Sequence, residues 1–303
     1  MRQRQLAHFL CMGLEKSSFC KVNLLLNVLG KRADGFHELE TIMHPLPIFD
    51  RLQFEPGRQG IELTCSDPHL PTDSGNLVYR AAESFLRTAG IREGARIHLD
   101  KHIPLAAGLG GGSGNAATTL LGLNELFGQP LAQPQLETVA ASLGSDIPFF
   151  LQSKPAVATG RGERIQSLQP FPVLRAAAFI LVHPGFGIST PWAYQQLQRF
   201  PTALNGSPGR AEKLLVSLQG SDLTSAGAQF FNSLEAPALE KYPLLLLFQQ
   251  FFRSNGANGA LMSGSGSTTF AVAESVSAAE SLAEKFKSKF GPGCWLRVVA
   301  ASP

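Results

Sequence analysis

Short stretches in which apolar and polar residues alternate recur along the chain, and this period-two pattern predicts β-strands. The strands predicted are residues 20–29, 39–47, 50–54, 60–65, 95–100, 156–158, 163–167, 257–261, 268–273 and 295–300. Residues 177–182 are apolar throughout and are predicted to form a buried strand. Elsewhere apolar residues recur at helical spacing, which predicts helices at 76–89, 115–127, 135–143, 210–218, 238–252 and 278–290. Because strands and helices are mixed along the chain, the pattern predicts an α+β protein.

The length of 303 residues is typical of a two-domain protein. A change in composition near Lys154 and Pro155 predicts the boundary between the domains. The predicted division is an N-terminal extension at 1–18, a first domain at 19–155 and a second domain at 156–303. Within the second domain, residues 203–209 contain Gly and Pro and are predicted to form a linker or mobile loop.

The net charge is only +3 and the basic residues are spread along the chain, which argues against nucleic acid as a partner. The longest apolar run is too short to cross a membrane. Cys11, Cys20, Cys65 and Cys294 lack the spacing of metal or redox sites and are expected to be reduced thiols. The short leader, which carries two arginines, favours the bacterial cytoplasm over the plastid stroma.

Residues 104–120, PLAAGLGGGSGNAATTL, place a glycine-rich loop between a predicted strand and a predicted helix. Backbone N–H groups in such a loop can converge on an anion, and the helix N-terminus adds a positive dipole. A P-loop is excluded because no Gly-Lys-Ser/Thr follows. Two other interpretations stay open on these residues alone, namely a glycine-rich turn without a ligand and a dinucleotide fingerprint from Gly112 to Ala117.

The segment Pro-x-x-x-Gly-Leu-Gly-Gly-Gly-Ser resembles the phosphate loop of the GHMP kinases, and Asn-Ala-Ala behind it resembles the diphosphocytidyl-methylerythritol kinases most closely. The resemblance implies an N-terminal ribosomal-protein-S5-like α/β domain, a C-terminal ferredoxin-like α+β domain, and an active site in the cleft between them. It also implies that ATP is held by the loop and by an asparagine before the first long helix. The implied nucleotide-binding residues are Pro104, Leu105, Ala106, Ala107, Gly108, Leu109, Gly110, Gly111, Gly112, Ser113, Gly114 and Asn76.

Asp146 lies in Gly-Ser-Asp-Ile-Pro-Phe-Phe, just past a predicted helix. A carboxylate there can act as a partly desolvated base or can cap the following turn. Lys21 opens the first strand among apolar neighbours and can be a solvated strand-end lysine. Both segments resemble family motifs, and the resemblance implies that Asp146 is the catalytic base and that Lys21 holds it and steers the acceptor hydroxyl.

Residues 32–39, Arg-Ala-Asp-Gly-Phe-His-Glu-Leu, are typical of a hairpin turn at Asp-Gly. An aromatic ring beside a histidine can also stack on a base and hydrogen-bond its edge. The segment resembles the family's cytosine-binding motif, which implies that Phe36 and His37, together with Asn23, hold the substrate. Residues 186–191, Phe-Gly-Ile-Ser-Thr-Pro, resemble the family's loop near the substrate and add Thr190.

Some positions depart from the family pattern. Phe19 and Cys20 stand where Pro-Ala is usual before the lysine, and Phe36 replaces a tyrosine. Ala106 and Ala107 replace Gly-Gly, and Gly114 replaces serine. Because alanine adopts positive φ only at a cost, the loop is expected to be strained or reshaped if either alanine position needs that conformation.

Two further segments match the family. Residues 262–268, Met-Ser-Gly-Ser-Gly-Ser-Thr, resemble the C-terminal glycine motif that packs beside the phosphate loop. Residues 232–235, Asn-Ser-Leu-Glu, resemble Asn-Asp-Leu-Glu, with Ser233 in place of aspartate. The family motifs therefore recur in order from Phe19 to the C-terminal part of the chain.

The resemblance implies an ATP-dependent kinase that phosphorylates the 2-hydroxyl of 4-diphosphocytidyl-2-C-methyl-D-erythritol in the non-mevalonate isoprenoid pathway. ATP and Mg²⁺ are the implied cofactors, no residue is assigned as a resident metal ligand, and the chain is expected to be a monomer or homodimer. The alternatives are another GHMP kinase, of the homoserine or mevalonate type, and a catalytically silent nucleotide-binding relative. A dinucleotide-dependent oxidoreductase is a more distant alternative.

Overall fold

The computed structural model describes residues 13–301. Contacts between Cα atoms divide these residues into two compact units. Unit 1 consists of the described residues up to Phe19 together with Phe49–Ile103 and Gly111–Ser153. Unit 2 consists of Cys20–Ile48, Pro104–Gly110 and the chain from Lys154 onward. The first glycine loop therefore belongs to unit 2, and the helix that follows it belongs to unit 1.

The strands are β1 Leu14–Lys31, β2 His37–Gly57, β3 Ile61–Cys65, β4 Gly94–Asp100, β5 Ala156–Gly160, β6 Arg164–Ser167, β7 Ala178–His183, β8 Phe231–Asn232, β9 Gly259–Met262, β10 Thr269–Ala273 and β11 Trp295–Ala300. The α-helices are α1 Leu77–Ala89, α2 Gly111–Leu126, α3 Gln133–Leu143, α4 Thr190–Gln196, α5 Pro201–Leu204, α6 Arg210–Leu218, α7 Leu223–Gly227, α8 Glu235–Lys241, α9 Pro243–Ser254 and α10 Val276–Phe290. Short 3₁₀ helices cover Ile147–Leu151, Pro172–Leu174 and Leu197–Arg199.

Unit 1 contains a sheet edge covered by helices. The C-terminal part of β2 pairs antiparallel with β4, with Leu52 opposite Leu99, and β4 pairs parallel with β3. Helix α2 packs closely beneath this sheet, since a Cβ atom added at Gly122 would lie 2.5 Å from the ring of Phe54. Glycine at this position therefore permits the close approach of helix and sheet.

Unit 2 contains a four-stranded antiparallel sheet in the order β11-β7-β10-β9. In chain order this is 4-1-3-2, the strand order of a ferredoxin-like fold, as the resemblance implied. Aromatic side chains of α9 and α10, among them Phe248, Phe252 and Phe286, pack on this sheet in one buried core. The same unit contains the N-terminal part of β2, which pairs with β5, and the parallel pairing of β1 with β8.

The structure corrects several predicted elements. Strand β1 begins at Leu14, inside the stretch that was predicted as an extension, while residues 1–12 lie outside the described residues. The predicted strands at 39–47 and 50–54 form one strand, β2, which continues through Pro45 and Pro47. The predicted helix at 238–252 is two helices, because Pro243 begins α9 directly after α8 ends. The described part of the chain contains no helix both long and apolar enough to span a membrane.

The described cysteines Cys20, Cys65 and Cys294 are free thiols, as expected, and Cys11 lies outside the described residues. Residues 201–204, predicted in part as loop, form the short helix α5, and residues 205–209 continue without helix.

Candidate active site

Three residues of the first glycine loop adopt the left-handed backbone conformation. The φ angles are 50° at Ala106, 75° at Gly108 and 71° at Gly110. Ala106 is one of the two alanines that replace glycine in the family pattern, so the expected strain is present at this position. At Gly108 any side chain is excluded, because an added Cβ would lie 2.0 Å from the carbonyl oxygen of Ser263.

The second glycine segment, residues 262–268, packs directly on this loop, as its resemblance to the family motif implied. The Ser263 hydroxyl donates to the carbonyl oxygen of Gly108 over 2.9 Å, and the Thr268 amide donates to the carbonyl of Ala107 over 3.2 Å. A Cβ at Gly264 would lie 2.9 Å from that same Gly108 oxygen. The two segments are thus interlocked through backbone groups, which leaves no room for larger residues.

Lys21 connects the first strand with the glycine loop. Its residue exposure is only 2%, and its Nζ donates to Asn23 Oδ1 at 2.5 Å and to the Gly108 carbonyl at 3.0 Å. Its backbone amide also donates to the carbonyl of Leu109. The interpretation of Lys21 as a solvated strand-end residue is therefore wrong, and the lysine is a buried cation held against the loop.

Asn23 is fixed from its other end. Its Nδ2 donates to the Thr41 hydroxyl at 2.8 Å, and that hydroxyl donates to the Leu25 carbonyl at 2.5 Å. Thr41 therefore sets the orientation of the amide that receives Lys21. Sequence reasoning missed Thr41, because its place beside Asn23 depends on strand pairing rather than on any local motif.

Helix α2 begins at Gly111, directly after the loop and four residues earlier than predicted. In its first turn Gly112 is exposed and Ser113 is half-buried. The amides of this turn have no intrahelical acceptor and are available for an anion. Gly114 is enclosed instead, because a Cβ there would lie 2.9 Å from both the Phe19 carbonyl oxygen and the Ser18 hydroxyl. In this chain the replacement of the family's serine by Gly114 is thus a packing requirement.

Asp146, in unit 1, precedes the 3₁₀ helix Ile147–Leu151 and is half-buried. The capping interpretation is wrong for this helix, since the aspartate side chain makes no capping hydrogen bond to it. The five residues that follow are all buried, so the backbone beside the carboxylate is rigidly held. Phe150 packs against Phe19 with ring centroids 5.1 Å apart, which shows what the Phe19 departure contributes to unit 1.

Residues 32–38 form the predicted turn. The Arg32 amide donates to the Phe36 carbonyl at 2.8 Å, and Gly35 supplies the required positive φ of 85°. The Arg32 guanidinium bonds the carboxylates of Asp34 and Glu38. Phe36 projects from this turn, is 50% exposed, and has the Arg161 guanidinium 4.6 Å from its ring centroid. The exposed ring is available for stacking.

His37 stacks on Tyr194, with ring centroids 5.0 Å apart. Burial and the charge of Lys31 lower the pKa of His37, so its imidazole is neutral near pH 7. Its Nε2 atom is buried and has no hydrogen-bond partner among the described residues. Tyr194 is partly buried and borders a core cluster. Its contact with His37 has no signal in the sequence.

The structure gives Asn76 a definite local role. Its Oδ1 accepts from the Val78 amide at 2.9 Å and its Nδ2 donates to the Pro71 carbonyl at 2.8 Å, so it caps α1. Its contact with a nucleotide stays a prediction. In unit 2, the hydroxyl of Thr190 lies 2.9 Å from that of Ser265, which brings the predicted substrate loop to the second glycine segment.

Asp50 was missed altogether, because one acidic residue in a predicted strand carries no signal. It is completely buried, and its Oδ1 accepts from the amides of His102 and Ile103 at 2.7 and 2.8 Å. Its Oδ2 accepts from the Lys101 ammonium and from Asn115 of α2. This carboxylate therefore ties the end of the chain before the glycine loop to the helix after it, within unit 1.

Two family models match the chain. The GHMP kinases N terminal domain matches residues 76–154, and the GHMP kinases C terminal model matches residues 202–292. A 4-diphosphocytidyl-2-C-methyl-D-erythritol kinase of Pelotomaculum thermopropionicum is 40% identical over 88% of this chain and 91% of its own length. The corresponding protein of Syntrophus aciditrophicus is 41% identical over 91% of this chain and 94% of its own.

The chain belongs to the 4-diphosphocytidyl-2-C-methyl-D-erythritol kinase family of GHMP kinases. A crystal structure of a 4-(cytidine 5'-diphospho)-2C-methyl-D-erythritol kinase matches with a TM-score of 0.78 at 35% identity, over 95% of this chain and 99% of that one. A homoserine kinase from Cytophaga hutchinsonii matches with a TM-score of 0.73 at 19% identity, over 95% of this chain and 94% of that chain, and so shares the fold alone. Family membership confirms the GHMP kinase fold and ATP as the implied phosphoryl donor.

Proposed function

We propose that this kinase transfers the γ-phosphoryl group of ATP to the 2-hydroxyl of 4-diphosphocytidyl-2-C-methyl-D-erythritol, which gives the 2-phosphate and ADP. The reaction belongs to non-mevalonate isoprenoid precursor synthesis. The observation that carries the choice of substrate is the turn at residues 32–38. It presents an exposed aromatic ring next to a neutral histidine whose Nε2 has no protein partner among the described residues. The location of this kinase in the bacterial cytoplasm stays a prediction.

Phe36 and His37 are the proposed cytosine contacts. Phe36 offers a ring face for stacking, although it lacks a phenolic hydroxyl. The neutral imidazole of His37 can exchange a hydrogen bond with the edge of the base through Nε2. Asn23 and Thr190 are proposed to hold the remainder of the substrate. Since Asn23 already binds Lys21 and Thr41, it also fixes the lysine beside the acceptor.

The glycine loop fits the phosphates of ATP. At Gly108 the Ser263 carbonyl oxygen fills the space that a Cβ would need, and Gly108 and Gly110 present backbone without side chains. The amides of Gly112 and Ser113 in the first turn of α2 add donors for the phosphate oxygens. Ser113 has the hydroxyl that would hold Mg²⁺, directly or through water, and the ion would supply positive charge that offsets the charge of the phosphates.

Asp146 is proposed to accept the proton of the 2-hydroxyl as its oxygen forms the bond to phosphorus, and ADP leaves with the bridging oxygen. Lys21 supplies positive charge that favours the developing negative charge on the transferring group. Burial of Lys21 strengthens this effect, because a charge shielded from water is less screened. The protein thus contributes chiefly positioning and electrostatics.

The test measures ADP release by the purified protein with Mg-ATP, both without an acceptor and with the proposed acceptor. Homoserine and mevalonate are tested as acceptors in parallel assays. Release that depends on the diphosphocytidyl acceptor is expected. Release with homoserine or mevalonate instead would replace the substrate assignment. ATP binding without release under any acceptor would identify a silent relative.

Asp146→Asn tests the base. We expect kcat to fall by about 100-fold or more while ATP binding persists, since loss of a general base has about that effect. Glu137→Gln, on the exposed surface of α3 in the same unit, is the control for loss of one carboxylate charge. Full activity in Asp146→Asn would refute the assignment of the base.

A further inference from the structure

The second glycine segment, residues 262–268, is held from behind by two side chains of residues 232–235. Asn232 Nδ2 donates to the carbonyl oxygens of Met262 and Gly264, at 2.8 Å in both cases. The Glu235 carboxylate accepts from the Met262 amide through Oε1 at 2.7 Å. Met262, the first residue of the segment that packs on the phosphate loop, is therefore hydrogen-bonded to an ionisable side chain.

Glu235 occupies an unusual environment for a carboxylate. Its Oε1 also accepts from Gln249 of α9 at 2.5 Å, and burial raises the pKa of Glu235 to about 7. Arg253 of the same helix is the charged side chain that faces it, and it donates to Gln249 and to the Ala260 carbonyl. The proposed phosphoryl transfer gives Glu235 no role, although it titrates in the range where the enzyme would work.

Hydrogen bonds on either side of the Met262–Ser263 peptide connect Glu235 with Gly108 of the phosphate loop and with Lys21. Met262, whose amide Glu235 binds, precedes Ser263, and the Ser263 hydroxyl donates to the Gly108 carbonyl at 2.9 Å. The same carbonyl accepts from Lys21 Nζ at 3.0 Å. Because Gly108 has no free space around its Cα, a shift of Ser263 has to move the loop as well.

We infer that Glu235 is a positioning residue for the phosphate loop, and that its ionised carboxylate holds the second glycine segment where Ser263 and Lys21 share the Gly108 carbonyl. A charged acceptor binds the Met262 amide more strongly than a neutral one. Protonation of Glu235 therefore loosens the support of the loop and weakens ATP binding. This inference rests on the proposed kinase function, because the loop's ligand is ATP in that function.

Glu235→Gln tests the inference, since glutamine keeps the shape and an acceptor oxygen but never ionises. Near pH 8, we expect its KM for ATP to be about fivefold above wild type, the scale of one weakened hydrogen bond, with a smaller change in kcat. The ratio of variant to wild-type KM should fall toward one as the pH falls to about 5.5 and wild-type Glu235 becomes protonated. Titration of ATP itself is common to both proteins and cancels in the ratio.

The matched control is Glu240→Gln, on the same helix α8. Glu240 is exposed and pairs with Arg199 at 2.9 Å, so its removal changes the same charge without touching the segment. Its KM ratio to wild type should stay near one at every pH. A merely structural Glu235 would lower thermal stability while leaving the ATP KM ratio independent of pH, and that result would overturn the inference.

Two further variants trace the path. Ser263→Ala should raise the KM for ATP by a similar factor, and the double variant with Glu235→Gln should show less than the product of the two effects. Gln249→Met removes a hydrogen-bond donor to Glu235, so Glu235 should become protonated at a higher pH. The pH at which nucleotide binding weakens should therefore rise by about one pH unit relative to wild type. If Glu235→Gln fails to fold, equilibrium binding of ADP to Gln249→Met over the same pH range decides the question, and the absence of this rise would refute the inference.

The wild-type enzyme in the same series separates the two proposals. If it shows no acceptor-dependent ADP release, the proposed function fails, whatever Glu235 does. If it is active and Glu235→Gln binds ATP with the wild-type pH profile, the function stands and the role of Glu235 fails.

Discussion

The two glycine-rich segments of unit 2 pack against each other but differ in exposure. In the first, residues 104–110, Ala106 is exposed and Gly108 and Gly110 are half-buried. In the second, residues 262–268 are all buried. Both contain glycines with positive φ, so composition and backbone conformation do not separate them. The extent of burial does separate the two segments, because an exposed segment can contact a ligand, whereas a buried segment can only support the one that does.

The support consists of backbone and hydroxyl groups rather than of apolar side chains. Ser263, Thr268 and Asn232 each hydrogen-bond a main-chain group of one of the two segments. A loop held in this way keeps its shape when its ligand is absent, because these carbonyls have their donors within the protein. The comparison therefore predicts that changes where the segments touch have larger effects than changes on the exposed side of the loop.

Gly108→Ala gives the largest expected effect. Its Cβ would lie 2.0 Å from the Ser263 carbonyl oxygen at a φ of 75°, so both segments must move apart. We expect the kcat/KM for ATP to fall by about 100-fold or more, corresponding to about 3 kcal/mol, and the melting temperature to fall with it.

Gly128→Ala is the control for the conformational cost alone. Gly128 has a φ of 78°, close to that of Gly108, but a Cβ added there would meet no heavy atom of the described residues within 4 Å beyond its own chain neighbours. The substitution should lower stability by about 1 kcal/mol without a specific effect on ATP. Equal losses in the two variants would show that the interlock contributes nothing beyond backbone conformation.

The pH dependence of stability sharpens the comparison, because the support of the second segment includes Glu235. Burial penalises the ionised carboxylate and raises the pKa of Glu235 to about 7, so the stability that the fold gains from protonating it is fully present below about pH 4.5 and is lost as the pH rises through 7. This cost of burying the charge acts on the free energy of unfolding and is separate from the stronger hydrogen bond that the ionised form makes to the Met262 amide. His44 acts in the opposite direction. It is fully buried, its pKa is lowered to about 4, and its contribution is present above pH 6.5 and lost as the pH falls through 4.

The two contributions overlap between about pH 4.5 and 6.5 and should largely cancel, since each amounts to roughly 3 kcal/mol. Glu235→Gln should therefore unmask a stability that rises with pH over this range, and His44→Gln should unmask one that falls. Urea unfolding at a series of pH values measures both slopes. Parallel profiles for wild type and Glu235→Gln would contradict the raised pKa.

Ala106→Gly gives the smallest expected effect. Glycine relieves the cost of a φ of 50° at an exposed position and should raise stability by about 0.5 to 1 kcal/mol, less the added entropy of the unfolded chain. Ala107→Gly is the matched control, since Ala107 is buried with ordinary φ and should lose stability instead. Thermal unfolding measures both, and a less stable Ala106→Gly would show that the loop is not strained.

The fold was predicted well where the residues within a helix or strand, and those at its ends, are enough to determine its bounds. Helix α6 and strand β11 have the predicted bounds, and the helix predicted to end at residue 89 does end there, with Gly90 in the left-handed conformation. The prediction was wrong where contacts with other parts of the chain determine the bounds of a helix or strand. Helix α2 begins among glycines, which have low helix propensity, and β2 continues past Pro45 and Pro47, which suggest a break.

For the candidate site, sequence motifs named Lys21, Asn23 and His37, and their functional roles stay predictions. The structure brings the first two together in one network, which the motifs did not show. Thr41, Tyr194 and the supporting role of Glu235 were missed, because strand pairing and helix packing bring them to the site from distant parts of the sequence. No local pattern contains that information.

Gly114 has a consequence for exchange of segments between relatives. A Cβ at 114 would lie 2.9 Å from both the Phe19 carbonyl oxygen and the Ser18 hydroxyl, so a serine there requires the start of the first strand to move. Because the contact at 19 is made by the backbone, glycine at 114 is matched to the path of the strand entry rather than to the side chain at 19. A relative's glycine loop transplanted alone into this chain should misfold locally, whereas one transplanted together with that relative's strand entry should be accepted.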